Sequence, residues 1–233
     1  MGVGLGIGIG VATVAALGAA YTGFWHWEVE RLEKPRYAVR RKLGTIERME
    51  LRAYEPYIIA EALVSPDGRA GSVDDQMRAA MNQGFQRVGG FIFGGNTRKE
   101  SVAMTSPVRM DRNTSESISM TSPVRMDGAP GTGDYRVSFV MPSKYTLETL
   151  PVPKEDLRVK CRQVDAHEAA AVTFYGGMDM GESRRQSAEL RKAMEREGLE
   201  PAGPEAMYEY HPPFAPSFMR KREVVIPVKS QKK

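Results

Sequence analysis

The seven residues Met-Thr-Ser-Pro-Val-Arg-Met stand at positions 104–110 and recur without a change at positions 120–126. Two apolar residues stand two positions apart before each proline, Val102 with Met104 and Ile118 with Met120, which places each pair on one face of a strand. Residues 111–114 between the copies, Asp-Arg-Asn-Thr, are typical of a turn. The repeat therefore predicts two similar strands paired as a hairpin, with Pro107 and Pro123 ending or bulging the pairing.

The rest of the composition is that of an ordinary globular protein. With 233 residues, the chain can form one domain with a sizeable core and an appendage. The net charge of +4 comes from scattered lysines and arginines, and residues 230–233 are interpreted as a basic, solvated tail, so no nucleic-acid partner is expected. The single cysteine, Cys161, excludes an internal disulfide and a metal site built from cysteines. The alternating pattern around it favours a small hydrophobic residue on a strand over a nucleophile.

Residues 1–27 contain no Asp, Glu, Lys or Arg and end in a group of aromatic residues. A segment of this length can cross a bilayer as a helix, and aromatic rings favour the headgroup level. We therefore predict an N-terminal transmembrane helix and a single-pass membrane protein. A cleaved export signal is the alternative, although no basic region precedes the segment.

The charges after this segment bear on its orientation and on the domain boundaries. Basic residues follow the apolar segment and none precede it, which favours a cytoplasmic domain. A single N-terminal anchor can also lead export, so the side of the membrane stays open. Residues 28–43 are predicted to be a charged spacer, and residues 44–229 the folded domain.

Hydrophobic periodicity predicts the main elements of this domain. Strands are expected at residues 45–54 and 57–64, paired as a first hairpin, and later at 135–141, up to 164, 169–175, 207–210 and 223–228. Ser72 can cap a first helix, and a second helix is expected at 181–197, followed by Gly198. Helices set apart from antiparallel strands indicate an α+β fold, with two helices on a curved or barrel-like sheet.

Several motifs, in order, resemble the SOUL/haem-binding protein family. They are ELRAYEP at 50–56, the two MTSPV copies, YRVSFVMP at 135–142 with YTLETLP at 145–151, YHPPF at 210–214 and REVVIPV at 222–228. The resemblance implies a distorted antiparallel β-barrel of two similar halves flanked by two α-helices, similar to bacterial effector-binding domains. It also implies haem or another tetrapyrrole as the ligand.

The resemblance further indicates where such a ring would bind. In members proposed to ligate haem iron, a histidine precedes the tyrosine of the first-strand motif, but here that position is Ala53. In other members the porphyrin lies against an apolar groove along the first helix, near a basic side chain. By this resemblance, Met77, Met81 and Phe85 would supply apolar surface and Arg78 a partner for the propionates. Ordinary packing of the helix stripe against the sheet is the alternative explanation of the same residues, and it is the one favoured by the sequence.

The chain has three histidines, and none stands in a metal-binding pattern. His26 falls in the aromatic end of the apolar segment, His167 is interpreted as a surface or loop residue, and His211 lies in the 210–214 motif. No spacing selects one of the 14 methionines as an iron ligand. No metal ligand is therefore assigned from the sequence.

The chain also has no motif of a known catalytic class. It lacks Gly-x-Ser-x-Gly, His-Glu-x-x-His and a phosphate-binding loop, so no catalytic residue is assigned and a non-enzyme is expected. The main hypothesis is a membrane-anchored haem- or tetrapyrrole-binding protein that buffers or delivers haem. One alternative is a membrane-tethered interaction module, or one that binds a small apolar effector without haem. Another is a hydrolase on the same fold, with a carboxylate such as Glu61 or Glu223 in its pocket.

Overall fold

The computed structural model describes residues 23, 27, 32–44, 48–65, 71–98, 101–102, 106–112, 134–177, 179–211 and 215–229. The predicted anchor at 1–27 lies outside these residues except for Gly23 and Trp27. The second copy of the repeat and the tail at 230–233 also lie outside them. Within the described ranges, no helix combines the length and the apolar character needed to cross a bilayer.

Nine strands and two helices form the described part of the domain. In chain order they are β1 Tyr37–Lys42, β2 Met49–Tyr54, β3 Tyr57–Val64, α1 Val73–Ile92, β4 Val108–Arg112, β5 Tyr135–Val140, β6 Val159–Val164, β7 His167–Tyr175, α2 Met180–Arg196, β8 Ala206–Glu209 and β9 Lys221–Pro227.

All nine strands belong to one antiparallel sheet that curls into a half-barrel. Their order is β1-β2-β7-β9-β8-β4-β5-β3-β6. Although four strands separate β7 from β3, the rings of His167 and Tyr57 on these strands are only 6.1 Å apart. Such an approach requires strong curvature of the sheet. The predicted α+β fold, with a curved antiparallel sheet and two helices, is confirmed.

Strand pairing departs from the first predicted hairpin, whereas the hairpin predicted from the repeat involves the second copy and lies outside the described residues. The strands at 49–54 and 57–64 exist, but β2 pairs with β1 and β7, whereas β3 pairs with β5 and β6. The first predicted hairpin is therefore wrong. Glu55-Pro56 carries the chain from one half of the sheet to the other instead of folding it back on itself.

The first copy of the repeat forms its strand after the proline. Strand β4 begins at Val108, directly after Pro107, and pairs with β5 on one side and β8 on the other. A proline is tolerated just before a strand because its missing N–H removes no ladder bond there. Asp111 and Arg112, predicted as turn residues, belong to β4 because long-range partners override local turn preference.

The segment before residue 44 is tied to the domain. Strand β1 lies within the predicted spacer and forms the exposed edge of the sheet, where charged residues oppose pairing with another chain. Upstream of it, the backbone carbonyl of Glu33 accepts a hydrogen bond from the Ser106 N–H at 3.0 Å. The Glu33 carboxylate accepts another from the Ser143 N–H at 2.9 Å. Residues from Glu33 onward are therefore part of the folded unit.

Helix α1 begins and packs as its sequence dictates. Ser72 Oγ accepts from the Asp75 N–H at 3.2 Å, and the Asp75 carboxylate accepts from the Ser72 N–H at 3.1 Å, so the predicted cap is a reciprocal capping box. A Cβ on Gly84 would lie 2.4 Å from Cβ of Val137, so the helix rests directly on β5. The helix buries Met77, Ala80, Gly84, Val88 and Phe91.

The two helices cover the same face of the sheet. Helix α2 packs Leu190, Ala193 and Met194 against apolar side chains of β2, β7 and β9. Met207 in the core under α1 pairs directly with Val224 in the core under α2, so both cores share one face. The opposite, concave face carries tyrosines and buried charges, and any site on it is separate from a site beside α1.

Candidate functional site

The structure divides the four predicted ligand residues between the core and the surface. Met77 is buried in the core beneath α1, whereas Met81 is half-buried against that core. The ring of Phe85 is 37% exposed, and its centroid lies 5.3 Å from that of the buried Phe139. Arg78 is exposed. Three of the four side chains are therefore accessible, whereas Met77 packs in the core beneath the helix.

The three accessible residues share one side of the helix. Positions 78, 81 and 85 are separated by three and four residues, which places them in adjacent turns on the same flank of α1. The predicted stripe at intervals of four drifts away from the buried face because a helix has 3.6 residues per turn. This drift leaves Met81 and Phe85 at the edge of the core instead of within it.

The two flanks of α1 face different strands of the sheet. On the other side of the helix, Arg87 Nη1 donates to the Leu63 carbonyl of β3 at 2.8 Å and closes that edge. The flank of Met81 and Phe85 turns toward β5 and β4, where Phe139 pairs with the half-exposed Val108. An apolar strip with a cation beside it can hold the face of a flat ring and an acidic substituent.

These residues fit a tetrapyrrole as an apolar ring, and none of them is assigned as an iron ligand. Thioether and aromatic side chains give adaptable contact with a macrocycle, and Arg78 suits a propionate. Ala53, at the position of the family's histidine, is a half-buried residue on β2. No group of three or more His, Cys, Asp or Glu in the described ranges could hold a metal ion.

The concave face of the sheet contains a buried ion pair. Arg52 donates from Nη1 and Nη2 to the two oxygens of Glu223, at 2.9 and 3.1 Å. Tyr210 and Thr173 donate their hydroxyls to the same carboxylate at 2.6 and 2.9 Å. Burial alone would raise the pKa of Glu223, but the hydrogen bonds and the charge of Arg52 outweigh burial and lower it.

Neither carboxylate named for the hydrolase alternative is arranged as a general base. Both carboxylate oxygens of Glu223 accept hydrogen bonds from protein donors, namely Arg52, Tyr210 and Thr173. Glu61 accepts from Arg162 Nε at 3.0 Å and lies 3.5 Å from Arg136 Nε. Paired carboxylates of this kind are typical of structural ion pairs, since a general base must accept a proton from its substrate.

Cys161 is half-buried on β6 beside the core under α1. Burial, with a smaller effect from the Glu61 charge, raises the pKa of its thiol to about 11. The thiol is therefore protonated at neutral pH, in keeping with the interpretation of Cys161 as a packing residue instead of a nucleophile.

His167 lies in a place that its sequence context did not reveal. It was interpreted as a surface or loop residue, but its half-buried ring stacks on Tyr54 with centroids 5.2 Å apart and an interplanar angle of 11°. Its partner Tyr54 comes from β2, more than a hundred residues earlier. No local signal could have indicated this stack, because strand pairing brings the two rings together.

A cleft of about 300 Å³ lies at the end of the barrel next to the N-terminal segment. Its lining includes Pro35, Pro56, Tyr57, Pro142 and Tyr145, several of which belong to motifs that carry the family resemblance. None of the four predicted ligand residues lines it. The cleft is thus separate from the α1 flank.

Comparison of the fold with solved structures supports the architecture. An uncharacterised conserved protein from Listeria innocua is similar at a TM-score of 0.52 and 15% identity, over 82% of this chain and 94% of that one. The EcmrR C-terminal domain is similar at a TM-score of 0.50 and 12% identity, over 78% of this chain and 98% of that one. At such identities the likeness concerns the fold alone.

Comparison of the sequence identifies the family. No curated protein sequence matches the chain. The profile described as SOUL heme-binding protein matches residues 32–227, which is most of the chain and includes β1 and all later strands. The motif resemblance is therefore confirmed, and this chain belongs to the SOUL haem-binding protein family.

Proposed function

We propose that this chain binds a tetrapyrrole, with haem as the expected ligand, on the α1 flank formed by Arg78, Met81 and Phe85. The observation that carries the proposal is the combination of two accessible apolar side chains and one cation on the same flank of α1. The family membership supports haem as the ring. The proposed role is binding without catalysis.

Each residue has a separate task in this proposal. Met81 and Phe85 contact the face of the ring, Arg78 pairs with a propionate, and buried Met77 keeps the helix seated on the sheet. With no iron ligand assigned among these side chains, the proposed site holds the ring by apolar contact and one exposed ion pair. Such a site exchanges its ligand readily, which suits buffering or delivery of haem better than permanent retention.

We also propose that residues 1–27 anchor the protein in a membrane. The support is the uncharged, apolar sequence of that segment. The hydrogen bonds of Glu33 to Ser106 and Ser143 begin the folded unit only a few residues later. Residues 28–32 span at most about 18 Å when fully extended. An anchor at 1–27 would therefore hold the barrel close to the bilayer surface.

The anchor has a direct test. Full-length protein expressed in cells should stay in the membrane pellet after alkaline carbonate washing and should have the mass of the uncleaved chain. Release of the protein into the carbonate supernatant would contradict the anchor. A mass lacking the first 20 or so residues would support the export-signal alternative.

The tetrapyrrole site is tested by titration with a matched pair of charge insertions. Full-length protein in detergent is titrated with haemin and with metal-free protoporphyrin IX, and ring absorbance and fluorescence are followed. Met81→Glu should weaken metal-free ring binding by tenfold or more, since about 1.4 kcal/mol is tenfold and burying a carboxylate against a ring costs more than that. Gln83→Glu adds the same charge at an exposed position off this flank and should bind as wild type. Equal binding by wild type and Met81→Glu would refute the site.

A small apolar ligand other than a tetrapyrrole is the second candidate. The cleft of about 300 Å³ favours it, because this volume is within the range of small-molecule sites and its lining includes prolines, tyrosines and aliphatic side chains beside charged residues. An environment-sensitive apolar dye that is displaced by neither haemin nor protoporphyrin, and is unaffected by Met81→Glu, would support this second function.

A further inference from the structure

The loop at residues 143–149 lies beside the point where the chain enters the folded domain. The Glu33 carboxylate accepts a hydrogen bond from the Ser143 N–H at 2.9 Å. Residues 33–36 and residues between 140 and 148, Leu147 among them, line the same cleft. The Cα atoms of Ser143 and Leu147 are at most about 14 Å apart, because only four residues separate them. Leu147 is therefore close to the segment that follows the proposed anchor.

Hydrogen bonds hold Leu147 in the solvent at the tip of a turn. The Thr146 N–H donates to Thr149 Oγ1 at 2.8 Å, and the Thr149 N–H donates to the Thr146 carbonyl at 3.2 Å. Leu150, the next residue after the turn, is buried, and its N–H donates to the same carbonyl at 2.9 Å. Leu147 itself is 44% exposed. The bonds within the turn thus present this side chain to the outside.

Two more exposed apolar side chains stand on adjoining loops. The Val152 carbonyl accepts a hydrogen bond from the Thr97 N–H at 3.0 Å, which joins the connector after the turn to the segment after α1. Val152 is 62% exposed, and Phe93, the residue that follows α1, is 65% exposed. Single exposed apolar residues are common, but several on joined loops indicate a contact surface. We call Phe93, Leu147 and Val152 the loop surface.

Charges around the loop surface are mixed in sign. The exposed charged residues of segments 93–98 and 142–156 are Arg98, Lys144, Glu148, Lys154, Glu155 and Asp156. The hydrogen bond from Thr146 lowers the pKa of Glu148, so the carboxylate next to the apolar tip is ionised at neutral pH. Three cations and three carboxylates select neither an acidic nor a basic partner. Apolar contact is therefore what this surface offers.

We propose that the loop surface rests on the membrane that holds residues 1–27, with its three apolar side chains at the boundary between headgroups and acyl chains. The inference rests on the anchor of the proposed function and adds the face of the domain that meets the bilayer. Residues 28–32 span at most about 18 Å, so the bilayer is within reach of the loop beside Glu33. A short tether gives a high effective concentration, so a few apolar contacts are sufficient for docking. The cleft between residues 33–36 and Leu147 then opens at the bilayer surface.

The experiment places one fluorescent probe on the full-length protein. Cys161→Ala removes the only cysteine of the chain and serves as the background. Leu147→Cys or Leu63→Cys is added, labelled with an environment-sensitive dye and reconstituted into phosphatidylcholine liposomes. The liposomes are prepared with and without a lipid that carries a nitroxide quencher on its acyl chain. Circular dichroism verifies that each variant is folded.

Leu63 is the matched control for Leu147. The two leucines are 45% and 44% exposed. Leu63 is six residues along β3 from Tyr57, which lines the cleft, so it lies about 20 Å farther from the entry point. Side chains at the boundary lie about 5–10 Å into it, so the nitroxide should quench the probe at 147 about twofold or more. The probe at 63 should be unaffected, and equal signals at the two positions would refute the docking.

A probe at Val152→Cys tests the surface as a unit. Leu147→Glu puts a carboxylate at the tip of the turn and should remove most of the quenching at position 152, because a charge opposes insertion between acyl chains. Leu63→Glu adds the same charge elsewhere and should leave the quenching unchanged. Quenching that appears only when phosphatidylserine is added would show attraction between charges and would refute apolar docking.

Carbonate extraction of the same liposomes separates this inference from the anchor. If the protein stays in the pellet and the probe at 147 is not quenched, the docking is refuted and the anchor stands. If carbonate releases the protein but the probe at 147 is quenched before extraction, the anchor fails and the docking stands. Release without quenching refutes both. A probe at 147 that is shielded only at high protein concentration, without quenching by the lipid, would assign the surface to a second copy of the chain and refute the docking.

Discussion

The guanidinium of Arg52 and the carboxylate of Glu223 face each other across β7, with paired contacts of 2.9 and 3.1 Å between side chains 171 positions apart in the sequence. Their side chains are only 3% and 0% exposed. The pair joins β2 to β9 at the concave face, and hydrogen bonds from Tyr210 and Thr173 complete it. This buried ion pair is therefore a central polar interaction between strands of the half-barrel.

Glu223→Gln should destabilise the fold strongly. The substitution leaves the Arg52 charge buried without its main counter-charge, which costs about 3–5 kcal/mol of unfolding free energy. Urea denaturation followed by circular dichroism measures the loss. Glu200→Gln is the matched control, because the Glu200–Lys229 pair is exposed and its removal should leave the midpoint unchanged. Equal midpoints for the two variants would argue against a stabilising role for the Arg52–Glu223 pair.

Two glycines of α1 should respond to alanine with opposite signs. A Cβ at Gly84 would meet Val137 at 2.4 Å, so Gly84→Ala should cost about 1–3 kcal/mol of stability. At Gly89 the nearest atoms are 3.9 Å away, so Gly89→Ala should add about 0.5–1 kcal/mol by restricting the unfolded chain. Thermal and urea unfolding report both values. Destabilisation of similar size in the two variants would contradict the close packing of α1 on β5 at Gly84.

The protonation of His167 should couple stability to pH. Its pKa in the folded protein is below the ordinary 6.5, because burial opposes the imidazolium. As the pH falls below about 6.5, the unfolded state binds more protons than the folded state. The contribution of His167 is therefore complete above pH 6.5 and is lost as the pH falls through the folded pKa.

His167→Phe isolates this contribution, because it keeps the stack on Tyr54 without a titrating group. Unfolding free energy measured from pH 8 to pH 5 should fall more for wild type than for His167→Phe. Parallel pH profiles for the two proteins would show that the ring does not change its proton affinity on folding.

The Cys161 thiol should react slowly in the folded protein. With its pKa raised to about 11, mainly by burial, the thiolate fraction at pH 8 is on the order of a hundredfold below that of a free cysteine. Alkylation by iodoacetamide, followed by mass spectrometry, should be slow in buffer and fast in 8 M urea. Comparable rates in the two solutions would contradict the described environment.

The local features of the domain were predictable from the sequence. Ser72 caps α1 in the structure, and Gly198 follows α2 with a positive φ of 65°. Both signals act within one helical turn, so nearby residues are sufficient to specify them. The family motifs also indicated the fold, because those motifs span the whole domain, whereas the ligand role of Arg78, Met81 and Phe85 stays a prediction.

The strand partners were not predictable, and several conclusions about the site depended on them. Alternation suggested that residues 45–54 and 57–64 form a hairpin, but β2 pairs with β1 and β7, whereas β3 pairs with β5 and β6. The charged segment at 28–43 was interpreted as a spacer, but β1 lies within it as an edge strand. Charge and alternation describe one strand at a time, and an edge strand with exposed side chains has the same composition as a linker.

Capping residues, helical periodicity and family motifs were sufficient to predict two helices and an antiparallel sheet, and they led to the proposed ligand role of Arg78, Met81 and Phe85. Folding in three dimensions assigned Met77 to the core, joined Arg52 to Glu223 and stacked His167 on Tyr54. The physical reason is the range of the interactions. Capping and periodicity act over a few residues, whereas burial and ring contacts arise from strands that are distant in the sequence and meet only in the curled sheet.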